Sequence, residues 1–95
     1  MQYLYITGRE GSLEKGLAAY LRSISEDFVG LAVDRIFLSI RPLQQVANLA
    51  SLLREHKDHR IIANSYGAYL TLQALVDLDV TPKDVNPINH HVIQA

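Results

Sequence analysis

Arg60-Ile61-Ile62-Ala63-Asn64-Ser65-Tyr66-Gly67-Ala68-Tyr69-Leu70 is the stretch on which the reading of this chain turns. A short apolar run stops at a serine, and an apolar helical pattern begins at once. This order predicts a strand over Arg60–Asn64 that turns sharply into a helix with Ser65 at the apex. Such a turn lifts the serine hydroxyl clear of the backbone. It also crowds the residues two before and two after, which must be small; here they are Ala63 and Gly67. The head of the following helix offers free backbone N–H groups that stabilise negative charge developing beside Ser65. The plainer reading of the same residues is a serine that caps a helix.

Working outward, Tyr3–Ile6 reads as a first strand, followed by a glycine-bearing loop, Thr7-Gly8-Arg9-Glu10-Gly11-Ser12. Ser12 is placed to cap a helix whose apolar positions Leu13, Leu17, Tyr20, Leu21 and Ile24 recur at three- and four-residue steps. Asp34–Ile40 reads as the second strand, and Pro42 opens a helix with Val46, Leu49, Ala50 and Leu53 on one face. His56-Lys57-Asp58-His59 ends it, with cationic or titratable groups where the helix dipole favours them. The helix after Ser65 is apolar around most of its circumference and is expected to be the most buried. Asp79–Pro87 reads as a loop, and His90–Gln94 as a fourth strand. Strands alternating with helices predict one α/β domain over residues 1–95. It is a three-layer sandwich on a small parallel sheet of about four strands in the order 2-1-3-4.

Composition narrows the function classes. The 95 residues carry 48% hydrophobic and 20% charged side chains with a net charge of −1, an ordinary globular balance. No basic cluster is present to track a phosphate backbone, so nucleic acid is disfavoured as a partner. The absence of cysteine excludes disulfides, zinc-thiolate sites and thiol catalysis, and fits a reducing cytoplasm. Met1–Ile6 is too short and lacks the basic start of a signal peptide, and no apolar run approaches a membrane span.

Topology and the serine select one place. With strands one and three adjacent, their outgoing loops part to opposite faces, and the crevice between them is the expected ligand site. Those loops carry Gly8-Arg9 and Ser65-Tyr66. Gly8 would allow close backbone approach to a ligand, or be an ordinary turn glycine. The side chain of Tyr66 would border the pocket or pack under a neighbouring loop.

Ala63-Asn64-Ser65-Tyr66-Gly67 resembles the G-x-S-x-G nucleophile elbow of the α/β-hydrolase family, with alanine in place of the first glycine. The resemblance covers nearly the whole chain but only about the N-terminal half of a complete hydrolase. It implies a serine hydrolase acting on a small-molecule ester, thioester or amide, with Ser65 as nucleophile and no metal or organic cofactor. By position, the oxyanion-hole N–H groups would be those of Tyr66 and Arg9, less securely Gly8. The family's acid and histidine follow on loops after later strands, and this sequence ends before those positions.

Within the chain no base or acid is identified. In a parallel sheet, His90 and His91 would open the fourth strand at the edge opposite Ser65, about 17 Å away. His56 and His59 precede strand three at that same far edge and read as solvated residues rather than a metal pair. Asp77, Asp79 and Asp84 also run toward it. The chain is then a fragment of a longer hydrolase, a domain completed by a second chain, or a degenerate relative. An exposed edge strand near residues 90–95 would suit a homo-oligomer or the missing C-terminal half. Two readings from other classes stand beside the enzyme. Gly8, Gly11 and Gly16 match neither phosphate-binding fingerprint, yet the first helix N-terminus would suit a flavodoxin-like nucleotide- or phosphate-binding module. A non-catalytic interaction domain is the other.

Overall fold

The computed structural model describes residues 1–78 in full, and residues 85–88 and 91–94 through their backbone pairing. The elements are β1 (Gln2–Arg9), α1 (Gly16–Ile24), β2 (Asp27–Val33), α2 (Arg35–Leu38), α3 (Pro42–Glu55), β3 (Arg60–Asn64), α4 (Tyr66–Asp77), β4 (Val85–Ile88) and β5 (His91–Gln94). The sheet order is β2-β1-β3-β5-β4. The first three of these strands are parallel, as the alternation of strands and helices predicts.

Pleating divides the apolar residues between two faces. Leu4, Ile6, Ile61 and Ala63 join Phe37, Leu49, Leu53, Leu70, Ala74 and Leu75 in the main core, beneath α2, α3 and α4. Tyr5 turns the other way and packs with Ala18 and Leu21 of α1, with Tyr3, Leu13, Phe28 and Ile62 partly buried around them.

The second strand is not where Asp34–Ile40 suggested. It is Asp27-Phe-Val-Gly-Leu-Ala-Val33, and the predicted strand is instead the short helix α2. Asp34 decides this: its backbone is extended, and its carboxylate accepts the Phe37 N–H at 2.9 Å, a side-chain cap that starts a helical turn. Gly30 interrupts the apolar run of β2 for a tertiary reason, since a Cβ there would stand 2.7 Å from Leu13 Cδ2.

Ser12 does not cap α1. Its hydroxyl accepts the Glu14 N–H at 2.9 Å, closing a turn, and the helix starts four residues later at Gly16, whose φ is +55°. The buried face of α1 is therefore Ala18 and Leu21, while Leu17, Tyr20 and Ile24 are exposed. Helix α4 buries more residues than α1 or α3, but on one face only: Gly67, Ala68, Leu70, Thr71, Ala74 and Leu75 are covered, and Tyr69, Leu72 and Val76 are not.

The largest departure lies at the C-terminal strands. Part of the predicted Asp79–Pro87 loop is strand β4, and β5 runs antiparallel to β3. The sheet has neither four strands nor a parallel fourth one. A short connection permits an antiparallel hairpin, whereas a parallel pair needs a crossover of a dozen or more residues. Strand β5 is consequently interior, between β3 and β4, and the sheet's edge strands are β4 and β2. Residues 79–84, 89–90 and 95, which include Asp79, Asp84 and His90, lie outside the described residues.

Helix α4 sits so close to β1 that Gly67 has no room for a side chain. A Cβ there would overlap the Thr7 carbonyl oxygen and stand 2.8 Å from Ile6 Cγ2. Both obstacles are buried, and one is backbone. Gly67→Ala is expected to destabilise the fold by about 3 kcal/mol, the upper range for overpacking a filled core. Urea denaturation with an unchanged m-value measures it.

Candidate functional site

Ser65 stands between the last residue of β3 and the first of α4 with φ 54° and ψ −119°. Non-glycine residues rarely adopt that conformation, and holding one there costs on the order of 1–3 kcal/mol. The surroundings enforce it. Ala63 is fully buried on the core face, and Gly67 is clamped against β1, so the chain must reverse within the residues between them. Ser65 itself is exposed. Its hydroxyl makes no capping hydrogen bond, which removes the plain-cap reading. The Ser65 carbonyl accepts the N–H groups of Ala68 at 2.9 Å and Tyr69 at 3.1 Å. Among the described residues this leaves the N–H groups of Tyr66 and Gly67 without a backbone partner at the head of α4.

The facing loop is built by Thr7. Pairing of β1 with β2 slips between Ile6 and Arg9, and the fully buried Thr7 hydroxyl bridges the gap. It accepts the Val33 N–H at 2.8 Å and donates to the Gly8 carbonyl at 2.7 Å. Gly11 N–H then closes onto the Gly8 carbonyl at 3.0 Å, with Glu10 at φ 55°. Glu10 N–H is committed to the Val33 carbonyl at 2.7 Å. Gly8 meets the elbow directly: a Cβ on it would lie 3.2 Å from Ser65 Cβ and 3.9 Å from Ser65 Oγ.

Between the two loops lies an open cleft of about 810 Å³, lined among others by Tyr5, Gly8, Arg9, Lys15, Ser65 and Tyr66. Asn64 is in its wall as well. The sequence-selected residues Gly8, Arg9, Asn64, Ser65 and Tyr66 are thus brought together, and Ala63 and Gly67 support them from the core side. Tyr66 fulfils both roles open to it. Its ring borders the cleft, stacked on Tyr69 at 6.0 Å, and its hydroxyl donates to Gln45 Oε1 at 2.9 Å. The guanidinium carbon of Arg9 lies 4.5 Å from the centre of that ring. Burial raises the Tyr5 hydroxyl pKa above its ordinary 10.0, with Asn64 acting in the opposite direction.

Sequence reasoning passed over Lys15, Tyr69 and Gln45. The first two stand in polar or helical contexts without a distinctive pattern. Gln45 reveals itself only through its burial and its bond to Tyr66.

The histidines separate into two places. His59 precedes β3 and so lies at the far edge, about 16 Å of strand from Ser65. It is not solvated: its side chain is only 7% exposed, with Nε2 3.2 Å from Asp27 Oδ2, a close approach without hydrogen-bond alignment. His56 meets its ring edge to face at 5.0 Å. His91 moves the other way. Because β5 is antiparallel, its first residue pairs with Asn64, at the same edge as Ser65 rather than the opposite one.

Comparison of the chain with models of protein families, with curated proteins and with solved structures finds no match.

Replacing Ser65 tests whether the apex stores strain. Ser65→Gly is expected to be more stable than Ser65→Ala by about 1–2 kcal/mol, because glycine alone adopts this φ without penalty. In an unstrained site the order would reverse. Urea midpoints of the two variants decide it.

Proposed function

We propose that this domain is a serine hydrolase of the elbow type, similar in layout to the N-terminal half of an α/β-hydrolase, transferring an acyl group from an ester, thioester or amide to water. One observation carries the reading: Ser65 is held at φ 54°, ψ −119° on a strand-to-helix turn, exposed and without a capping bond. A hydroxyl kept in a costly backbone conformation, with no hydrogen-bond partner among the described residues, is suited to attack.

In this reading Ser65 Oγ adds to the substrate carbonyl and its proton passes to a base. The N–H of Tyr66, with that of Arg9 across the cleft, stabilises the tetrahedral oxyanion; one such donor is worth roughly 3–4 kcal/mol. Gly8 leaves space for the reacting carbonyl beside Ser65 Oγ. Collapse expels the leaving group, which takes up the proton. Water then cleaves the acyl-serine by the same steps in reverse.

The base we assign is His91. Its register position opposite Asn64 puts it one residue from Ser65 along the edge. Cα atoms directly opposite in an antiparallel pair are about 4.5–5.5 Å apart. Helix α1 and the cations beside it keep a second reading open, a phosphate- or nucleotide-binding module, because Arg9 and Lys15 line the same cleft.

A fluorophosphonate probe with intact-mass detection tests the enzyme reading. The chain is expected to take one adduct, absent in Ser65→Ala. No adduct on protein with a native circular-dichroism spectrum sinks it.

The assignment of the base is checked separately. His91→Gln is expected to slow the labelling rate at least about a hundredfold, the lower range for loss of general base catalysis. An unchanged rate removes His91 from the mechanism and leaves Ser65 in it.

A further inference from the structure

The cleft beside Ser65 carries two positive side chains, Arg9 and Lys15, and no carboxylate among its described lining residues. Among the described residues neither cation forms a salt bridge. The acid next in sequence to Arg9 is engaged elsewhere, with Glu10 Oε1 3.2 Å from Arg35 Nε. A protein of net charge −1 has no general excess of cations, and gathering two of them in one cleft with no acid among its described lining residues makes that cleft locally positive.

The guanidinium of Arg9 is also held in place. It lies over the Tyr66 ring, and the Tyr66 hydroxyl is fixed by Gln45. Gln45 is buried, and its amide nitrogen donates to the Ile40 carbonyl at 2.7 Å. The chain from Ile40 through Gln45 and Tyr66 to Arg9 sets the position of one charge from the core outward. Stacking occupies the guanidinium face and leaves its planar fork of N–H donors for a ligand. Such a fork matches the paired oxygens of a carboxylate or phosphate. Across the cleft, Lys15 adds a point charge immediately before α1, whose first turn has neither a side-chain cap nor an acidic residue.

We infer that the substrate of this site is an anionic acyl compound, an ester or thioester bearing a carboxylate or phosphate that Arg9 and Lys15 receive while its carbonyl meets Ser65. The inference rests on the hydrolase reading for its carbonyl and on the cleft alone for its anion, so the two are separable.

Initial rates on p-nitrophenyl butyrate and mono-p-nitrophenyl succinate compare acyl groups of the same length, one neutral and one charged. The succinate ester is expected to be favoured roughly tenfold or more in kcat/KM, mostly through KM, as charge-assisted bonds allow. Raising sodium chloride should erode that preference. The ratio should fall to about one in the double variant Arg9→Gln/Lys15→Gln, and Arg9→Lys, which keeps the charge but loses the fork, should retain only part of it. Equal kcat/KM for the two esters in the native chain overturns the proposal, as does a preference that survives in the double variant. If the native chain cleaves neither ester, the hydrolase reading fails. The anion is then read on folded Ser65→Ala by titration with monomethyl succinate and with inorganic phosphate, following the amide signals of Arg9, Lys15 and Gly16. Saturable shifts uphold the anion site, and the tighter ligand tells carboxylate from phosphate. No saturable shift with either overturns it.

Discussion

The contact of α4 with β1 is the constraint from which the rest of the site follows. At Gly67 the helix backbone lies directly against the Thr7 carbonyl and Ile6, closer than any side chain would permit. A helix seated that deeply, beginning only two residues after a buried strand, cannot be entered by a gentle curve. The reversal falls on Ser65, and its backbone is driven into a region that L-residues avoid. The same contact fixes how near the β1 loop stands to the serine, since Thr7 and Gly8 are consecutive and Gly8 abuts Ser65.

Around that contact the polar groups are arranged in order of burial. The fully buried Thr7 hydroxyl spends both its donor and its acceptor capacity on backbone, repairing a ladder that has slipped. Gln45, also buried, donates its amide N–H to the Ile40 carbonyl in the α2–α3 connection and accepts the Tyr66 hydroxyl on its oxygen. At the surface of the cleft, among the described residues, the Ser65 hydroxyl makes no capping bond and the Arg9 and Lys15 cations form no salt bridge.

How legible this was in the sequence varies with the range of the cause. The β3–α4 turn was readable because smallness at Ala63 and Gly67 and the switch from strand to helix are written within eleven residues. The first helix and the second strand were misread for the same reason as each other. Ser12 and Asp34 are both good capping residues, and nothing local says that Asp34 caps while Ser12 only closes a turn. Gly30 broke the apolar run of β2, and its purpose, room for Leu13, lies in another element.

The sequence by itself determined that the domain is α/β with parallel strands, though not which residues form the second of them, and that Ser65 sits at a sharp strand-to-helix turn facing the Gly8-Arg9 loop. Those features depend on periodicity and residue size, which act over a few residues. Only the tertiary structure decided the direction of β5, which no periodicity encodes because a strand reads alike both ways. That direction carries His91 from the far edge of the sheet to the register position beside Asn64. The tertiary structure alone likewise decided the Gln45–Tyr66–Arg9 chain, because it joins three elements whose proximity is set by packing and by no local preference.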